Sequence, residues 1–93
     1  MDNNFINTFS KKIVLQQLAN IKEGHLILNL PDEKQYTFGD ANDFKNIMYI
    51  KNTDFFRKIV FSGNIGMGES FMMNDWDTPD LTSLLTLFIN NMK

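Results

Sequence analysis

Cysteine is absent from all 93 residues, so neither a disulfide framework nor thiolate chemistry is open to this chain. A reducing compartment is compatible with that absence. Histidine occurs once, as His25, and one imidazole with no second histidine does not make a transition-metal site. Basic residues are few: nine Lys and Arg stand against eleven Asp and Glu, for a net charge of −2. The Lys11-Lys12 pair falls far short of the clustered charge that phosphate binding needs, which argues against nucleic acid as a partner. No apolar run approaches the ~20 residues that would span a bilayer. The opening Met1-Asp2-Asn3-Asn4 has neither the positive region nor the apolar stretch of a secretory signal.

Large apolar side chains are plentiful. Nine Phe, two Tyr, one Trp and six Met belong to a composition that is 43% hydrophobic and 22% charged. That balance describes one globular domain spanning residues 1–93, expected in the cytoplasm. A domain of this size buries only about 60–65% of its unfolded surface, so ring-rich packing helps offset a thin margin.

Periodicity gives the elements. Ile6, Phe9, Ile13, Leu18 and Ile21 recur at helical spacing and predict a helix over 7–22, capped by Asn7 or Thr8 and ended by Gly24. Leu26, Leu28 and Leu30 alternate, Pro31-Asp32-Glu33-Lys34 carries turn chemistry, and Gln35–Phe38 alternates again, so 25–38 reads as a hairpin. Residues 46–51 form a third strand. Asn52 or Thr53 can cap a helix over 54–61, with Asp54 at its positive end and Gly63 as terminator. A second short helix follows over 65–73, with Asn74 as a left-handed stop. Thr78, Pro79 and Asp80 supply an N-cap, an N1 proline and a first-turn acid. They open a final helix faced by Leu81, Leu84, Leu85, Phe88, Ile89 and Met92. The predicted class is α+β: an N-terminal helix, a small antiparallel sheet of about three strands, then three helices.

Candidate sites each carry two readings. Gly63, Gly66 and Gly68 invite a phosphate-loop reading, but the spacing is G-x-x-G-x-G after a helical segment and no Lys-Ser/Thr follows. Glycines that end one helix and let the next approach closely explain them better. Glu69 stands amid Met67, Phe71 and Met72, so partial burial is one expectation and a helix-surface acid the other. Asp75, Asp77 and Asp80 lack the pattern of a calcium loop and suit helix capping. Met67, Met72 and Met73 with Phe55, Phe56, Phe61 and Phe71 form a polarizable apolar set that suits either a core or an acyl-chain groove. Trp76 suits either a staple for the last helix or an interface.

One stretch is more specific. Gly63-Asn64-Ile65-Gly66-Met67-Gly68-Glu69-Ser70-Phe71-Met72-Met73-Asn74-Asp75-Trp76, followed by Asp80-Leu81, resembles the "G-x-L-G-L-G-E-[AS]-Y-M-x-G-x-W" run in the front region of cyclopropane-fatty-acyl-phospholipid synthases. The span Gly24 to Gly39 is also similar to that front region. Phe71 replaces the usual Tyr and loses its hydroxyl; Asn74 replaces the usual Gly and keeps the left-handed turn. The resemblance implies a non-catalytic accessory domain, sterol-carrier-like in its pattern of helices and sheet. Its implied partners are a catalytic domain outside residues 1–93 and a phospholipid acyl chain or the inner-membrane surface, which it would meet peripherally. S-adenosylmethionine would be the parent enzyme's cofactor; no cofactor, metal or catalytic residue is expected within this chain. The implied lipid or interdomain contacts are Phe56, Met67, Glu69, Phe71, Met72 and Trp76. A free-standing lipid-binding module, or a truncated gene product, is the alternative.

Overall fold

A computed structural model describes residues 3–92. The fold is α+β. Helix α1 (Asn3–Leu18) leads into strands β1 (His25–Asn29), β2 (Gln35–Gly39) and β3 (Lys45–Ile50). Helix α2 (Asp54–Met72), the two-residue strand β4 (Trp76–Asp77) and helix α3 (Leu81–Asn90) complete it. The helices pack on one face of a four-stranded sheet of order β2-β1-β3-β4.

The sheet is mixed, where the sequence predicted an antiparallel one of about three strands. β1 and β2 form the expected hairpin, with Leu28 opposite Tyr36. β3, however, lies on the other side of β1 and runs parallel to it. Gly39 and Lys45 both pair with His25, so the loop 40–44 arches over the start of β1. Gly24 and Gly39, both at φ 86, make that crossing possible, and a side chain at Gly39 would strike the Gly24 carbonyl. The loop is tied to Gly24 by Asp40 N–H donating to its carbonyl at 2.8 Å and by its own N–H donating to Asp43 Oδ2 at 3.0 Å. Apolarity explains the order: β1 and β3, apolar on both faces at Ile27 and Ile47, take the centre, while Gln35 and Thr37 put β2 at an edge.

Four further expectations shift. Helix α1 starts and stops earlier than 7–22, so Asn7 and Thr8 are not its caps and Gly24 belongs to the β1 crossing rather than to the helix end. Its buried face is Asn7, Ser10 and Val14, with Phe9 turned outward, because Asn7 Nδ2 donates to Asp54 Oδ1 at 2.7 Å and ties α1 to the start of α2. Two helices follow the strands instead of three: the segments expected over 54–61 and 65–73 join into α2, kinked at Gly63 (φ 53, ψ −128). The N-cap of α3 is Asp80, whose Oδ1 accepts from Ser83 N–H at 3.0 Å; Thr78 instead donates its hydroxyl to the Ile47 carbonyl at 2.6 Å. Asn74 adopts φ 65, the left-handed stop that its side chain tolerates.

The glycines of α2 divide the work. Gly63 takes a backbone conformation that a side chain would strain, and Gly66 is buried so closely on the first segment that a Cβ would overlap the Lys58 carbonyl oxygen. Gly68 has open space around it. Gly66→Ala should therefore destabilise by about 2 kcal/mol through overpacking. Gly68→Ala should be neutral or stabilise by about 0.4–1 kcal/mol, because alanine narrows the unfolded ensemble. Urea midpoints at unchanged slope check both, and equal stability of the two variants would contradict the close approach at Gly66.

Candidate functional site

Both segments of the kinked α2 border apolar space that lies between the three helices, Phe55, Ile59 and Val60 from before the kink and Met67 from beyond it. A cavity of about 310 Å³ lies there, with Leu28 and Met48 of the sheet as floor. Val14 and Leu18 of α1, Val60 and Met67 of α2, and Phe88 of α3 form its walls. Gln17, Leu18, Met67 and Phe88 also line a groove that continues outward between α1 and α3 to Ile89 and Met92. A third depression, holding Phe71, Trp76, Leu81 and Leu85, shares Met67 and Asn64 with that groove. All three spaces thus meet at Met67, whose unbranched thioether chain adapts to variable neighbours. Gln17 and Asn64 are neutral amides at the rim, and among the described residues no charged side chain lines any of the three.

The wall around Trp76 is fixed by hydrogen bonds. Trp76 is 2% exposed, and its Nε1–H donates to the Met67 carbonyl at 3.0 Å and to Ser70 Oγ at 3.2 Å. Its ring meets Phe71 at 4.9 Å and Phe55 at 6.2 Å between centroids. One residue earlier, the buried Asp75 accepts from Lys58 Nζ at 2.5 Å. The Asp75 carbonyl takes the N–H groups of Lys51 and Asn52, and its own N–H donates to the Ser70 carbonyl. Asp75 therefore holds the end of α2 against the end of β3 and is not a helix cap. Asp77 likewise caps nothing: it pairs with Lys51 and accepts from Thr78 N–H.

The six contact residues expected from sequence do not form one surface. Met67, Phe71 and Trp76 come together in the depression just described. Phe56 is fully buried in the core, edge-on to Phe55 and away from these spaces. Glu69 is exposed rather than partly buried, and Met72 is 84% exposed outside the cleft. Sequence reasoning missed the contributions of α1 and α3: Val14, Leu18 and Leu85 were visible only as helix faces, with no sign that those faces leave space between them. His25 is half-buried at the start of β1. Among the described residues no three His, Cys, Asp or Glu side chains gather as a metal site, and no helix is long and apolar enough to cross a membrane.

Comparison with known proteins gives no match: no family model, no curated protein and no solved structure matches the chain significantly.

The Lys58–Asp75 pair sets the stability of this wall. Lys58→Met should cost about 3 kcal/mol, since it leaves a buried carboxylate without its cation. Adding Asp75→Asn should recover part of that loss, because the unpaired charge is then removed. A double-mutant cycle by urea unfolding measures the coupling, and additive losses would show the pair to be incidental.

Proposed function

We propose that this chain is a non-catalytic, lipid-engaging domain of the kind that fronts cyclopropane-fatty-acyl-phospholipid synthases, with an acyl chain lying in the cleft between α1, α2 and α3. The observation that carries the reading is the cavity of about 310 Å³, walled by apolar side chains and open toward the α1–α3 groove. Its size falls within the ~300–1,000 Å³ of ordinary small-molecule pockets. An acyl chain is the ligand that such walls reward: each methylene moved out of water contributes about 0.8 kcal/mol and asks for no polar partner. The neutral amides of Gln17 and Asn64 would sit at the mouth, beside the polar end of the lipid. Met67 would adjust to the position of a double bond or bend. The methyl donor and the chemistry of ring formation would belong to a separate catalytic domain.

A docking role for the same domain is the second reading. Phe61, Ile65, Met72 and Met73 all stand exposed on or beside α2, and exposed apolar side chains of this kind are what an interdomain contact covers. The two readings are compatible in a larger enzyme, and the first also serves a free-standing lipid-binding module.

Native mass spectrometry of the 93-residue chain with an unsaturated phospholipid, and separately with S-adenosylmethionine, tests the proposal. A stoichiometric lipid adduct and none with the methyl donor are expected. Val60→Phe, which fills the cavity from its wall, should abolish the adduct while leaving the fold intact by circular dichroism. Absence of any lipid adduct would leave docking as the better account of the apolar surface.

A further inference from the structure

On the opposite side of α3 from the cleft lies a second, polar pocket of about 360 Å³, where the end of the α1–β1 connection, the loop 40–44 and β3 meet that helix. We propose that it binds a small hydroxylated organic ammonium compound, of the amino-sugar or amino-alcohol type.

Asn46 is the first reason. It lines the pocket from β3, is only 7% exposed, and its Oδ1 accepts from Ser83 Oγ at 2.7 Å. Its amide nitrogen has no partner among the described residues. That nitrogen is not among the buried unpaired atoms and so stays open to the pocket, where a ligand acceptor can take its hydrogens in place of water. The hydroxyls opposite are the second reason. Ser83 spends its hydrogen on Asn46, and Thr86 spends its own on the Thr82 carbonyl at 2.8 Å. Toward the pocket both oxygens can therefore only accept, and the ligand must donate to them.

Charge supplies the third. Glu23 and Asp43 line the pocket, no described Lys or Arg does, and neither carboxylate pairs with a described cation. Asp43 Oδ2 already accepts from Gly24 N–H, which fixes the carboxylate and leaves its second oxygen for a ligand. A cation that donates hydrogen bonds meets this wall best. The lining also includes Leu87 and Phe44, the latter 72% exposed, so an apolar ring face has somewhere to rest. The ligand that meets all four demands carries an ammonium group, at least one hydroxyl that both donates and accepts, and a compact carbon frame.

Protonated glucosamine is the probe, titrated into the 15N-labelled chain while the side-chain amide signals of Asn46 are followed by NMR. Glucose keeps the hydroxyls without the charge, and cyclohexylamine keeps the charge and a six-membered ring without the hydroxyls. Glucosamine should shift the Asn46 amide saturably in the millimolar range, and each control should bind about tenfold more weakly or worse. Glu23→Gln, an exposed substitution with no effect expected on the fold, should weaken glucosamine about fivefold. Phe44→Ala should weaken it as well. Equal binding of glucose would overturn recognition of the ammonium. Equal binding of cyclohexylamine would reduce the site to simple charge pairing and overturn it too. No shift at Asn46 with any of the three would remove the site altogether.

Discussion

The approach of Gly66 to the Lys58 carbonyl governs the C-terminal half of this molecule. Helix α2 cannot run straight, because its two ends must serve different neighbours: Phe55 and Phe56 enter the core, while Ser70 must reach Trp76 at the far edge of the sheet. Gly63 supplies the bend and Gly66 lets the second segment settle against the first. Lys58 takes part twice, through its carbonyl beneath Gly66 and through its ammonium on Asp75. From Asp75 the chain turns directly into Trp76, which pairs with Ile50 as the sheet's last strand. One bend thus fixes where the helix returns, where the edge strand forms and how α3 begins.

The same bend accounts for the cleft. The kink brings Met67 of the second segment to the same space as Val60 of the first, and with Val14, Leu18 and Phe88 they border the gap without filling it. Other large rings are spent elsewhere. Phe56 and Trp76 are buried as fixed packing, and Phe61 stands out in solvent. Interiors are normally packed close to crystal density, so an apolar void beside unspent exposed rings marks a place where packing is not the sole demand on the sequence.

Much of this architecture was legible from residues alone, and the failures have physical causes. The hairpin, the third strand, the left-handed Asn74 and the last helix all follow from local signals, alternation and turn residues, while Gly63 was read as the end of a helix that in fact continues past it with a kink. The partner of β3 did not, because strand order depends on which strands need burial on both faces, and the glycines that permit the crossing at Gly24 and Gly39 look like ordinary loop residues. β4 was too short to have a period. The N-cap of α3 was misplaced by two residues, since Thr-Pro-Asp offers two capping side chains and only the structure decides that Thr78 is needed by the Ile47 carbonyl. For the candidate site, Met67, Phe71 and Trp76 were legible through their clustering near one motif. The walls given by α1 and α3 were not, for periodicity tells which face is apolar but not how far apart two such faces will stand.

Helix α3 shows how ten residues serve three environments at once. Advancing by about 100° per residue, a helix places positions three and four apart on a common face. Leu84 and Leu87 form the face sunk into the core. Leu85, Phe88 and Ile89 turn to one side and line the apolar groove. Ser83, Thr86 and Asn90 turn to the other and line the polar pocket. Asn91, just past the helix, binds the chain between α1 and β1: its Oδ1 accepts from the N–H groups of Lys22 and Glu23, and its Nδ2 donates to the Glu23 carbonyl. That clamp carries the wall of the polar pocket at Glu23, while Asn91 itself borders the apolar groove. The two spaces are therefore held by one side chain across the end of one helix, and a change that tilted α3 to widen either would have to break the Asn91 bonds or drag residues 22–23 with it.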